Sequence, residues 1–183
     1  TYQSIFKNPM VSPDLLGVSS GASVGAATAI LLSQGGTMIQ LSAFAGGLIA
    51  VAITVMLPRL IRNQSTILLV LSGIVIGSLM SSIMSILKFV ADTDTQLAEI
   101  TYWMMGSFAK VSFKTMLPVL PTIFLPMIII LLFRYRLNVL SLGDNEAKSL
   151  GINLKTTRGI FILSSTLITA SSVCLSGTIG WVG

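Results

Sequence analysis

No charged residue occurs between Asp14 and Arg59. The 44 residues from Leu15 to Pro58 would form a helix about 66 Å long at 1.5 Å per residue, twice what a ~30 Å hydrocarbon core requires. The run therefore predicts two membrane spans, 15–33 and 38–57, divided by the turn Gln34-Gly35-Gly36. Further uncharged runs predict spans over 65–87, 115–133 and 159–176. The fourth carries Pro118, Pro121 and Pro126, so a kinked helix packed against neighbours is expected there. Only 9% of the chain is charged and 53% is hydrophobic, against about a quarter charged in a soluble domain. The expected fold class is all-α, a polytopic membrane helix bundle of about five transmembrane helices in a single domain over 1–183. A β-barrel is disfavoured, because it needs segments of about ten residues that alternate polar and apolar.

Lysine and arginine set the orientation. With 1–14, 59–64 and 134–158 in the cytoplasm, eight cations lie inside (Lys7, Arg59, Arg62, Arg134, Arg136, Lys148, Lys155 and Arg158). Lys88, Lys110 and Lys114 lie outside, beside Asp92, Asp94 and Glu99. Because the basic residues flank apolar spans, they argue for topology and against nucleic acid as a partner. The chain opens on Thr1 without a basic leader and stops at Gly183 inside an apolar run, so both ends read as cuts through a longer protein.

The one long polar patch, 137–158, lies between two spans. Ser141 is placed to cap a helix, Asp144 follows three residues on, and Gly151 closes the element. Such a folded segment on the cytoplasmic face fits the docking of a soluble partner; an ordinary connecting loop is the alternative. On the other side, Thr93 and Gln96 fit a capping box for a helix over 95–108, with Leu97, Ile100, Met104 and Phe108 on one face. It would lie on the outer surface as an anchor or seal a pore mouth.

Small residues recur at helical spacing: Gly17, Gly21 and Gly25; Gly46, Ala50 and Thr54; Gly73, Gly77, Ser81 and Ser85. Each stripe permits close helix packing or leaves room for a solute along a pathway wall. Ser165, Thr169, Ser172 and Ser176 form a comparable hydroxyl face.

Chemistry within the chain is disfavoured. No histidine is present, which removes Ser–His and Cys–His pairs and imidazole metal ligands. Gly143-Asp144 resembles half of an intramembrane aspartyl protease site but has no second intramembrane aspartate. The glycine-rich 17–25 stretch lacks the Gly-Lys pair of a phosphate loop, so any nucleotide must be bound by another subunit, and no cofactor or metal is expected on this chain.

Four motifs carry a family resemblance. The stretch Asn8-Pro9-Met10-Val11-Ser12-Pro13-Asp14-Leu15-Leu16-Gly17-Val18-Ser19-Ser20-Gly21-Ala22 resembles the segment that opens the third helix of the FecCD family. Trp103-Met104-Met105-Gly106-Ser107 is similar to its Trp-x-x-Gly-Ser stretch, and Leu142–Gly151 to its cytoplasmic coupling segment. Gly177-Thr178-Ile179-Gly180-Trp181-Val182-Gly183 is similar to Gly-Pro-Ile-Gly-Phe-Val-Gly, with Thr178 for the usual proline and Trp181 for the usual phenylalanine.

The family comprises permeases of binding-protein-dependent ABC importers for iron-siderophore complexes, haem and cobalamin. The resemblance implies a type II importer permease of roughly ten helices, each needing about 20 apolar residues, of which this chain holds the third to the seventh and the tail of the second. It implies ABC ATPase subunits below, a second permease copy or paralogue alongside, and an extracytoplasmic substrate-binding protein above, in a bacterial cytoplasmic membrane. It further implies that 137–156 docks the ATPase through Leu142, Gly143, Asp144, Glu146, Ala147, Leu150 and Gly151. Asn8, Pro9, Met10, Ser65 and Thr66 would form cytoplasmic gates, and Gly73, Gly77, Ser81 and Ser85 would line the pathway. A secondary transporter would put a charged or broken-helix ion site at the midplane, and no predicted span has a central acidic residue. A non-transporting membrane assembly subunit is the remaining alternative.

Overall fold

The computed structural model describes residues 1–6, 12–61 and 66–179. In chain order the helices are α1 (Tyr2–Phe6), α2 (Val18–Leu31), α3 (Gly36–Leu60), α4 (Thr66–Val90), α5 (Gln96–Met105), α6 (Phe113–Met116), α7 (Leu120–Leu132), α8 (Arg134–Leu142), α9 (Asp144–Ser149) and α10 (Leu154–Ser176). Short 3-10 turns cover Pro13–Leu16 and Phe108–Lys110. The fold is an all-α membrane bundle, as the uncharged runs require.

The span count differs from five. Among the described residues, α3, α4 and α10 are long and apolar enough to cross a bilayer; α7 and α8 qualify together but bend by 61°. The first predicted span loses its opening residues to the Pro13–Leu16 turn and to Gly17, whose φ of 77° redirects the chain. The remaining 14 residues of α2 cover only about 21 Å. The reason is depth. A Cβ on Gly17 would lie 3.5 Å from the Gly77 backbone nitrogen. Gly77 is about 16 Å along α4 from Thr66. So α2 starts midway along its neighbour.

The fourth predicted span is shortened at both ends. Residues 117–119 form a turn, Pro121 then sits in the first turn of α7, and the break at Phe133 falls where the apolar run meets Arg134. By contrast α10 starts five residues earlier than 159, because the Asn153 side chain accepts from the Thr156 N–H at 3.3 Å.

Two glycine stripes are used for packing. A Cβ on Gly21 would fall 2.6 Å from the Gly46 carbonyl oxygen, and one on Gly46 would overlap the Gly21 carbonyl in return. Gly25 meets the Ser42 carbonyl in the same way. The α2 and α3 backbones therefore run in direct contact, which only small residues permit. Thr54 closes the stripe by donating to the Leu16 carbonyl at 3.2 Å. Elsewhere α10 is held by hydroxyls: Tyr2 and Thr166 lie 2.9 Å apart, and Thr122 of α7 and Ser171 2.7 Å apart. The outer side of α4 stays bare, with Ile67, Leu71, Val75, Leu79, Ile86 and Phe89 all exposed.

Candidate functional site

The polar patch folds as three pieces: the end of α8, then α9, then the first turn of α10. Ser141 caps nothing. It lies inside α8 and donates to the Asn138 carbonyl at 2.6 Å, so the residue preceding α9 is Gly143. Gly143 is buried, and the Glu146 carboxylate fills the space a side chain there would need. Gly151 does close the element. At φ 73° it donates its N–H to the Lys148 carbonyl, while Ile152 donates to Ala147, both at 2.9 Å. These two bonds are the Schellman pattern.

The seven residues of this segment sort into distinct environments. Ala147 is fully buried and anchors α9 to the core formed with Val139, Leu140 and Phe161. Asp144 accepts from Nη2 of Arg158 through both carboxylate oxygens, at 2.8 and 3.0 Å, which ties α9 to α10. Leu142 (71% exposed), Glu146 and Leu150 (58% exposed) face away from the bundle. The outward surface is thus two leucines about a carboxylate, and Asp144 is engaged within the chain.

Of the residues expected to form the gates, Asn8, Pro9, Met10 and Ser65 lie outside the described residues, and Thr66 begins α4. The α4 stripe splits into two environments. Gly73 is a packing glycine, since a side chain there would strike the Leu15 carbonyl. Gly77 has open space over its Cα. Ser81 and Ser85 are exposed, and their hydroxyls donate back to the carbonyls of Gly77 and Ser81 at 3.0 and 3.1 Å.

Ser81 and Ser85 line a cleft of about 360 Å³ shared with Ser19, Ser20 and Ser23 of α2 and with Thr178. Lys88 stands on its wall toward the outer end. Ser19 also donates to the carboxylate of Asp14, which sits in the Pro13–Leu16 turn just before α2. Sequence reasoning missed the α2 serines. Their signal is the spacing of 19, 20 and 23 on the face opposite the packing glycines, and it was masked because both faces of α2 are small.

The outer helix is shorter than 95–108. Gly106, at φ 63°, ends it, so Phe108 leaves the shared face and is exposed, while Ile100 is buried. Its start is organised by Asp92, not Thr93: the Asp92 carboxylate accepts from Thr95 and from the Asp94 N–H, and Gln96 reaches back to the Asp92 N–H at 3.2 Å. Its end is pinned to the end of α10, where Ser107 N–H donates to the Ser176 carbonyl at 2.7 Å and Thr178 donates to Met104. Met104, at the end of this helix, thus lines the cleft beside Thr178.

The geometry has close relatives. One solved structure, described as an inward-facing conformation of a metal-chelate type ABC transporter, superposes with a TM-score of 0.90 at 34% identity, covering 99% of this chain and 58% of that one. The molybdate import system permease protein MolB of Haemophilus influenzae is 34% identical over 181 residues, 99% of this chain and 54% of its own length. The probable iron chelatin transport system permease protein of Helicobacter pylori is 38% identical over the same shares, 99% and 54%. The vitamin B12 import system permease protein BtuC of Salmonella typhi is 35% identical over 99% of this chain and 55% of its own length. The chain thus spans about half the length of the curated relatives it matches. The model of the FecCD transport family matches residues 1–183, the whole sequence given, and the chain belongs to that family.

Proposed function

We propose that this chain forms the central part of a permease subunit that imports a metal chelate, of the iron-siderophore, haem or cobalamin type, across a bacterial cytoplasmic membrane. The observation that carries this reading is the hydroxyl-lined cleft between α2 and α4, set in a bundle that matches a metal-chelate type transporter along almost its whole length. ATP and Mg would be bound by separate ABC ATPase subunits docked on the α8–α9 segment. A second permease copy or paralogue would face the bare side of α4, and an extracytoplasmic binding protein would deliver substrate at the α5 end. Transport would follow from a shift between two packed arrangements, driven by ATP binding at the cytoplasmic face. The tight α2–α3 pair would move as one rigid unit in that shift, because its backbones are in contact.

A thiol-accessibility experiment tests the pathway. Cysteine is placed at Ser81 or Ser85 in the full-length permease, with Cys174 replaced by serine, and the complex is assembled with its ATPase. A water-soluble thiol reagent is expected to modify either position at a rate that changes with nucleotide state. Equal protection in every state would assign this face to helix packing and remove the pathway reading.

A further inference from the structure

We propose that the cytoplasmic side of the bundle holds a specific binding site for an anionic phospholipid. A cavity of about 730 Å³ opens where the inner ends of α3 and α4 meet α9 and the start of α10. Its cations come from three helices: Arg59 of α3, Lys148 of α9, and Lys155 and Arg158 of α10. Against these four, the described residues of the lining offer one carboxylate, Asp144, which is already bound by Arg158. The Nε of Arg158 is buried and has no hydrogen-bond partner among the described residues.

Below the cations the lining changes character. Val55, Pro58, Leu69 and Ile162 supply an apolar floor. Ile162 lies about 6 Å farther along α10 than Arg158, and Val55 about 6 Å deeper along α3 than Arg59, so the apolar lining continues past the cations toward the acyl chains. Cations at the interface above a hydrocarbon-lined recess match a phosphate headgroup with its chains below it. A free phosphate would leave the floor uncovered. An acidic protein segment would occupy the rim and leave the deep part empty. Because Lys148 and Asp144 sit on α9, a lipid seated here would join the partner-facing segment to α3 and α10.

Native mass spectrometry of the full-length permease, loaded with phosphatidylglycerol or phosphatidylcholine, tests the site. Phosphatidylglycerol is expected to survive activation that strips phosphatidylcholine. Replacing Arg59 and Lys155 together by glutamine should weaken its retention about thirtyfold, at about 1 kcal/mol for each cation. Replacing Arg134 and Arg136 in the same way should leave it unchanged. Ile162→Trp, which fills the floor without altering charge, should also lower retention. Equal retention of the two lipids, or wild-type retention in both cavity variants, would overturn the proposal. Displacement by inorganic phosphate would make the site a simple anion site, and loss of lipid on adding the ATPase would assign the cations to that partner; either result also overturns it.

Discussion

Replacing Gly46 by valine is expected to abolish accumulation of folded permease in the membrane. The first added carbon would overlap the Gly21 carbonyl and lie 3.1 Å from the Gly25 Cα. Both obstacles are backbone, so no side chain can rotate away, and α2 and α3 would have to separate along their shared stripe. Overpacking where neighbours can yield costs about 1–3 kcal/mol, and a rigid helix pair should exceed that range. Separation would also break the Thr54–Leu16 hydrogen bond. The measurement is the yield of monodisperse, detergent-extracted full-length protein and its thermal midpoint. Gly77→Ala serves as the comparison, because a Cβ there meets nothing within 4 Å. Wild-type yield and midpoint for Gly46→Val would show that α2 and α3 do not pack as described.

This contrast marks how far the sequence alone could be read. The long spans α3 and α4 follow from the lengths of their uncharged runs, since bilayer thickness and hydrogen-bond satisfaction leave little else possible. That the α2 and α3 stripes pack on each other, and that the α4 stripe divides at Gly77, depends on helix rotation. Spacing of small residues carries no information about rotation. The caps shifted by small steps for a related reason. Ser141 and Thr93 are good capping residues, but each competes with a neighbour, the Gly143 break and the Asp92 carboxylate, and tertiary packing selects between them. The prolines predict a kink within the fourth span, but Pro118 falls in the turn before α7, Pro121 in its first turn and Pro126 inside a continuous helix, and the 61° bend comes at Phe133, where hydrocarbon gives way to Arg134. The cavity bearing Arg59 and Lys155 joins residues nearly a hundred positions apart, which local pattern does not reveal.

Leu150→Asp in the full-length permease is expected to leave the bundle folded while uncoupling ATP hydrolysis from uptake. The leucine contributes little to the fold, since it is 58% exposed and only its backbone N–H closes α9, onto the Glu146 and Lys148 carbonyls. Ala147, three residues earlier, does the anchoring. An exposed leucine on a rigid, doubly closed helix end matches an interface contact, and its partner there is Leu142, the other exposed apolar residue of the segment. Burying a carboxylate against the ATPase should cost at least about 2 kcal/mol, near a thirtyfold loss of assembly. Glu146→Lys should act in the same direction, although its side chain also covers Gly143 and so carries a structural component. Ala147→Asp separates fold from docking: it should lower yield and thermal midpoint, which Leu150→Asp should not. The readouts are co-purification of the ATPase and substrate uptake per ATP hydrolysed in proteoliposomes. Normal assembly and normal uptake in both the Leu150 and Glu146 variants would show that the ATPase does not dock on this surface.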